Sequence, residues 1–125
     1  MPSKRLIRIP ACGAVAALAF LNSSLACART ADAEPQVVEI HAKKFSYDPP
    51  ELTLHKGVSY KLHVTSDDVP HSFRIKALHV TAVAKPGQFD DVPFTPDQVG
   101  DFKADCGVYC GSGHMKMAMT VHVVE

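Results

Sequence analysis

Short segments of alternating hydrophobic and polar residues follow one another from Gln36 to the C-terminus. In residues 58–65 the alternation has a period of two, which is typical of a half-buried β-strand. The apolar positions of that segment are Val58, Tyr60, Leu62 and Val64. The last segment repeats the pattern, with Met117, Met119, Val121 and Val123 on its apolar face. Similar patterns predict further strands at residues 37–42, 51–55, 72–76, 80–84 and 101–104.

Between these segments lie short sequences rich in proline, glycine and aspartate, which favour turns. They are Asp48-Pro49-Pro50, Lys56-Gly57, Lys85-Pro86-Gly87 and Thr95-Pro96-Asp97. Several strands about ten residues apart, without any sustained helical period, indicate an all-β sandwich or barrel. We therefore predict one antiparallel β domain over residues 36–125.

The first third of the chain has a different pattern. Three basic residues, Lys4, Arg5 and Arg8, precede an uncharged Ala-rich stretch, and small residues follow it up to Ala33. This order is typical of a secretory signal peptide, so residues 1–33 are predicted to be cleaved. Two alternatives are an uncleaved membrane anchor, since about 20 apolar residues cross a bilayer, and a lipoprotein modified at Cys27. All three place the folded domain in the periplasm or otherwise outside the cytoplasm.

Cleavage after Ala33 would leave 92 of the 125 residues and change the charge balance. The leader holds four of the 13 basic residues and one of the 13 acidic ones, so the mature chain carries about three net negative charges. A mildly acidic chain without a basic stripe does not suit nucleic acid. At 46% hydrophobic and 21% charged residues, the composition predicts a globular chain. Cleavage of the leader predicts a mature form without a membrane span.

The segment 106–117 concentrates the chemistry of the chain. It contains Cys106, Cys110, His114 and Met117 in a glycine-rich loop between the last two predicted strands. Two cysteines in an exported chain permit a simple disulfide, which would leave the histidine and methionine unexplained. Zinc would accept both thiolates and two imidazoles, but it would give Met117 no role. A thioether combined with thiolate and imidazole favours copper.

A copper site in this loop needs a second imidazole from elsewhere in the chain. His71 is the candidate, because it follows the stiff Val69-Pro70 turn at the start of a predicted strand. It precedes Cys106 by 35 residues, which is enough chain to reach the loop from a neighbouring strand. We therefore predict a copper site built from His71 and the loop.

The segment Asp68-Val69-Pro70-His71-Ser72-Phe73 and the later C-x3-C-x3-H-x2-M loop resemble the binuclear copper domain of cytochrome c oxidase subunit II. Nitrous-oxide reductase carries a similar domain. The resemblance implies a cupredoxin-like Greek-key fold that holds two copper ions bridged by both thiolates. It also implies that each imidazole binds one copper and that the thioether and one main-chain carbonyl bind more weakly. The implied metal ligands are His71, Cys106, Val108 (through its carbonyl), Cys110, His114 and Met117.

The function implied by this resemblance is exported one-electron transfer by a protein that is not itself an enzyme. Its redox partner would be a c-type cytochrome or an oxidase subunit I. Three alternatives stay open from the sequence. They are a mononuclear type 1 copper protein in which Cys106 takes no part, a periplasmic copper carrier or insertion factor, and a metal-free β domain with a structural disulfide.

Other polar and aromatic residues are assigned structural or surface roles. Phe73, Tyr109, Met115 and Met119 are predicted to pack in the interior or within the loop. Tyr109 and Phe73 have the alternative of lining an electron path. The aspartates Asp67, Asp68, Asp90 and Asp91 are predicted to form a solvated rim. The histidines His41, His55, His63, His79 and His122 are predicted to be surface or structural residues.

Overall fold

The structure is a computed structural model that describes residues 33–125. It contains nine β-strands and two short 3-10 turns, Lys76–Leu78 and His114–Lys116. The strands are β1 (Gln36–Lys43), β2 (Ser46–Asp48), β3 (Glu51–His55), β4 (Tyr60–Ser66), β5 (His71–Ile75), β6 (Val80–Ala84), β7 (Phe89–Phe94), β8 (Gly100–Asp105) and β9 (Ala118–Val124). The predicted strands are all present, with bounds that differ by a few residues.

The strands form two sheets, one in the order β2-β1-β4-β7 and the other in the order β3-β9-β8-β5-β6. The prediction of an all-β, cupredoxin-like fold is confirmed. The prediction of a purely antiparallel domain is wrong, because β1 pairs with β4 and β3 pairs with β9 in parallel. An alternating pattern shows which residues share a face, but it does not encode strand direction. Here β2 and β3 lie between β1 and β4 in sequence and supply the crossover that a parallel pair needs.

Two strands were not predicted from the sequence. β2 has only three residues, too few to show a period. β7 contains Asp90, Asp91 and Pro93, residue types that are depleted in strands. β7 forms the edge of its sheet next to β4, where a proline and outward charges are tolerated. These two strands come from tertiary pairing and not from local preference.

The predicted apolar faces make the core between the sheets. Tyr60, Leu62 and Val64 of β4 are buried, and so are the alternate residues of β9. Phe73 of β5 is completely buried, and its ring meets that of Tyr47 edge to face at 5.8 Å. Each such side chain stabilises the folded state by about 1.5–3 kcal/mol when it is fully removed from water. Met119 is buried as its position in the alternation predicted.

Strand pairing decides where the cysteine loop lies. β8 and β9 are antiparallel neighbours, and Asp105 opposite Ala118 is their last pair, so residues 106–117 bridge the two strands at one end of the sheet. β5 runs antiparallel to β8, with Arg74 opposite Asp105. The start of β5 therefore extends beyond the end of β8. This places His71 beside the loop, although 35 residues separate it from Cys106.

The predicted signal peptide, its anchor alternative and the lipoprotein cysteine Cys27 fall on residues outside the described part of the chain. Within residues 33–125, none of the helical segments has the length and apolar character needed to cross a bilayer.

Candidate metal centre

The loop 106–117 is held in a curl by its own backbone and by a neighbouring aromatic ring. At its base, the Cys106 N–H donates to the Met117 carbonyl at 3.3 Å, and the 3-10 turn His114–Lys116 tightens its second half. The Phe45 ring packs against Gly113 so closely that a Cβ there would lie 2.3 Å from the ring. Glycine at this position therefore allows the loop to fold over Phe45.

Two cysteine sulfurs lie at the centre of this curl. The Sγ atoms of Cys106 and Cys110 are 3.8 Å apart, and both cysteines are buried, free thiols. A disulfide bond would bring them to about 2.05 Å. The Cys110 sulfur is also 3.8 Å from the Met117 Sδ and 3.8 Å from the His114 Nδ1. Three sulfur atoms and an imidazole nitrogen thus converge on one buried point.

His71, the first residue of β5, completes the cluster. Its side chain is fully buried, and its Nε2 lies 2.7 Å from an Asp68 carboxylate oxygen. Its Nδ1 is the buried side-chain nitrogen or oxygen atom in the described residues that has no hydrogen-bond partner. Three candidate ligand atoms lie within 4.8 Å of one another, one each from His71, Cys106 and Cys110. A buried imidazole that lies beside two thiols and has one unpartnered ring nitrogen is what a metal site would require of this residue.

The remaining predicted ligand atom also lies at the cluster. The Val108 carbonyl oxygen is 3.0 Å from the Cys106 Sγ. The structure therefore brings together all six residues that the sequence singled out, around the two cysteine sulfurs.

Hydrogen bonds from β5 hold Cys106 in place. The Ser72 N–H points to the Cys106 sulfur at 3.5 Å, and the Ser72 hydroxyl accepts from the Gly107 N–H at 2.6 Å. The Ser72 carbonyl in turn accepts from the buried Tyr47 hydroxyl, whose pKa is raised above its ordinary value mainly by burial. The residue after His71 thus fixes the first cysteine relative to the histidine.

The surroundings keep the Cys110 thiol protonated when no metal is bound. Burial raises the pKa of Cys110 to about 11, and the hydrogen bond and charge of Cys106 add to the effect. Near neutral pH the thiol therefore keeps its proton. A metal bound there must displace this proton, since the thiolate is the ligand.

Asp68 is exposed, in agreement with its assignment to a solvated rim, but it also has a contact that was not predicted. Its carboxylate accepts hydrogen bonds from the Lys44 and Val69 backbone N–H groups, both at 2.7 Å, and contacts the His71 Nε2. Burial tends to raise its pKa, but the Lys44 and His71 hydrogen bonds outweigh this and lower the pKa. Asp68 therefore orients the His71 ring. The three-residue spacing between them is the sequence signal that was available for this contact.

Two residues of the loop are exposed where packing was predicted. Met115 is 86% exposed and Tyr109 is 77% exposed, whereas Phe73 is buried as predicted. The Tyr109 ring lies 5.8 Å from the His114 ring. A loop that turns its ligand residues inward leaves the side chains between them facing solvent. This is why both predictions of packing failed.

The other histidines lie away from the cluster. His63 and His122 contact the carboxylates of Asp91 and Asp101 at the protein surface. The prediction that they are surface or structural residues agrees with these positions.

The described residues form a two-sheet β-sandwich with a buried cluster of sulfur and imidazole donors at one end. The family model described as a cupredoxin-like domain matches residues 12–121, which is most of the chain. The protein therefore belongs to the cupredoxin-like family. Together with the donor atoms of the cluster, which include a thioether, this membership supports copper as the metal.

Within this family, the chain is similar to subunit 2 of cytochrome c oxidase. It is 31% identical to that of Thermus thermophilus over 88 residues, which are 70% of this chain and 65% of the relative. It is 35% identical to the probable subunit 2 of Streptomyces avermitilis over 76 residues, 61% of this chain and 24% of the relative. The chain thus spans less than two thirds of the length of these relatives.

A solved structure shares the fold. The periplasmic domain of subunit II of cytochrome oxidase from Bradyrhizobium japonicum superposes with a TM-score of 0.66. The match covers 72% of this chain and 84% of the other, at 22% sequence identity. The arrangement of two sheets is therefore common to both proteins.

Proposed function

We propose that this protein is an exported one-electron carrier with a binuclear copper centre bridged by the thiolates of Cys106 and Cys110. His71 and His114 would each bind one copper, and Met117 and the Val108 carbonyl would be weaker ligands. The observation that carries the proposal is the pair of buried free sulfurs, 3.8 Å apart and within 4.8 Å of a ring nitrogen of buried His71, whose Nδ1 has no hydrogen-bond partner. When bound, the copper pair supplies a centre that accepts and releases one electron.

The donor atoms favour two metals over one. A mononuclear site would use one cysteine and leave the other thiol beside it, buried and without a role. Here Cys106 has its own oxygen neighbour, the Val108 carbonyl at 3.0 Å, while Cys110 has the Met117 thioether at 3.8 Å. Each sulfur therefore has a different weak donor as its neighbour. This arrangement supports one metal beside each donor, with both sulfurs between them.

The charges of the ligands suit a buried electron carrier. Burying an isolated ion costs several kcal/mol even after relaxation, so the protein must supply opposing charge. Two thiolates provide it, and the imidazoles, thioether and carbonyl are neutral. The loop is fixed at its base by hydrogen bonds and packs over Phe45, contacts that would hold these ligands in one arrangement in both redox states. Electron transfer would therefore need little movement of the ligands.

The chain on its own would transfer electrons and not catalyse a reaction. The described residues offer a buried cluster of candidate metal ligands. The proposed partners are a redox protein such as a c-type cytochrome or an oxidase subunit I. The proposed location is the periplasm or another exported position, reached through the leader in residues 1–33. Retention of that leader would make the protein membrane-anchored.

Copper loading tests the proposed function. The reduced protein, reconstituted with copper, is expected to bind two ions per chain by metal analysis. Its electron-spin resonance spectrum should show one unpaired electron shared by two equivalent copper nuclei. A single copper per chain with a mononuclear spectrum would contradict the binuclear centre. No copper uptake after reduction would contradict the metal site itself.

The contact between Asp68 and His71 gives a second prediction. Asp68→Asn replaces the charged acceptor of the His71 Nε2 by an amide, which binds the ring more weakly and fixes its orientation less well. Partners of this kind are typically worth about 10–100-fold in metal affinity. We expect copper affinity, measured by competition with a chelator, to decrease by about 10–100-fold.

Asp67→Asn is the matched control. Asp67 is the exposed neighbour of Asp68, and its substitution makes the same change in net charge. It should leave copper affinity within about twofold. Equal losses in the two variants would show that the overall charge matters and that the His71 contact does not.

A further inference from the structure

A charged cleft lies beside the loop 106–117, on the sheet that contains β5 and β8. It has a volume of about 160 Å³ and is lined by Arg74, Lys76, Lys103 and Asp105 together with loop residues that include His114 and Met115. Asp105 is shared by two cations, since it lies 2.8 Å from the Arg74 Nε and 3.9 Å from the Lys76 Nζ. Three cations against one carboxylate leave the cleft positively charged.

This positive charge opposes the balance of the domain. Residues 36–125 contain nine lysines and arginines against eleven aspartates and glutamates. The Lys76 side chain is 69% exposed, and Lys103 and Lys116 are also exposed. The positive field is therefore local to the cleft and the adjoining loop. Local fields of this kind steer the approach of oppositely charged partners.

Exposed apolar side chains stand beside these cations, on the loop itself. Met115 lines the cleft and Tyr109 lies against His114, and both are largely exposed. The His114 Nδ1 is 3.8 Å from the Cys110 sulfur. A short path therefore runs from the surface through one imidazole to the buried cluster. Exposed apolar residues next to charges of one sign are typical of a contact surface for another protein.

We propose that this face, formed by the cleft and the exposed residues Tyr109 and Met115, docks an electron-transfer protein with an acidic contact surface. The inference rests on the proposed function and adds the chemical character of the partner. The cations would attract and orient the acidic surface. Tyr109 and Met115 would then exclude water where the partner approaches His114.

The test measures how fast two reduced cytochromes of opposite charge transfer an electron to the copper-loaded protein. The acidic donor is the soluble domain of cytochrome b5, and the basic donor is mitochondrial cytochrome c. We expect the second-order rate constant with the acidic donor to fall steeply as ionic strength rises, and that with the basic donor to fall little or to rise. The reverse pattern would overturn the proposal, because the net negative charge of the domain would then control the encounter.

Variants locate the effect. The double variant Lys76→Gln/Lys103→Gln should lower the rate with the acidic donor at low salt by about tenfold. Lys56→Gln is the control for loss of a lysine elsewhere on the surface, because Lys56 lies after β3, next to the end of β9, where its Nζ is 3.9 Å from a Glu125 oxygen. It should leave the rate within about twofold. Equal effects of the two changes would contradict a localised docking surface.

A measurement without copper separates this proposal from the proposed function. Titrating the isotopically labelled, metal-free protein with the acidic cytochrome should shift NMR signals of Lys76, Lys103, Tyr109 and Met115. Signals near Lys56 should stay in place. Shifts at the cleft without a binuclear copper spectrum would contradict the proposed function and leave the docking surface supported. A correct copper spectrum without shifts at the cleft would overturn the docking surface alone.

Discussion

Replacing Cys106 by serine is expected to abolish the binuclear centre, with bound copper falling from two ions per chain to at most one. A serine hydroxyl is a hard, protonated donor at neutral pH and does not replace a thiolate on copper. The spin-resonance pattern of two coupled nuclei should vanish with it. Metal analysis and the spectrum of the reconstituted variant measure the two effects separately.

This variant also separates the binuclear centre from its mononuclear alternative. A type 1 site made of His71, Cys110, His114 and Met117 would keep its colour and redox activity without Cys106. Retention of both in Cys106→Ser would therefore contradict our proposal. Ser112→Ala is the control, because it removes an exposed hydroxyl from the same loop and should leave two copper ions bound.

The second large effect is expected from Phe73→Ala, which should lower the free energy of unfolding by about 3–5 kcal/mol. Phe73 is fully buried between the sheets and packs edge to face on Tyr47. The truncation removes both this contact and the buried apolar area, and it leaves a cavity two residues from His71. Chemical denaturation of the metal-free protein, monitored by circular dichroism, measures the loss.

Phe89→Ala is the matched control. Phe89 is 62% exposed and lies over the His63 ring at the surface, so its truncation should cost no more than about 0.5 kcal/mol. If Phe73→Ala does not fold, Phe73→Leu should still fold, with a smaller loss of stability. Equal stabilities of Phe73→Ala and Phe89→Ala would contradict the position of Phe73 in the core.

The strand pattern was readable from the sequence because burial on one face imposes a period of two. Every residue predicted on the apolar face of residues 58–65 is buried or partly buried in the structure. Strand direction was not readable, since a parallel and an antiparallel neighbour bury the same alternate side chains. The parallel pairs β1–β4 and β3–β9 therefore appeared only with the tertiary structure.

The loop residues of the candidate metal centre were predictable because their chemistry is unusual and their spacing is short, and His71 because such a site needs a second imidazole. The contact between Asp68 and His71 was missed for a physical reason. A carboxylate on a polar turn is most often solvated, and only the folded turn shows that its oxygen meets the His71 Nε2. The same limit applied to Met115, whose exposure depends on the direction in which the 3-10 turn points its side chains.

Val108 was named only through the resemblance to cytochrome c oxidase subunit II. The sequence by itself determined the all-β class, the buried faces and the other five residues of the cluster. These follow from local periodicity and donor chemistry, which each segment carries alone. Only the tertiary structure decided strand direction, the unpartnered nitrogen of His71 and the grouping of Arg74, Lys76 and Lys103 beside the loop. Those features arise because pairing of β5, β8 and β9 brings side chains together that are distant along the chain.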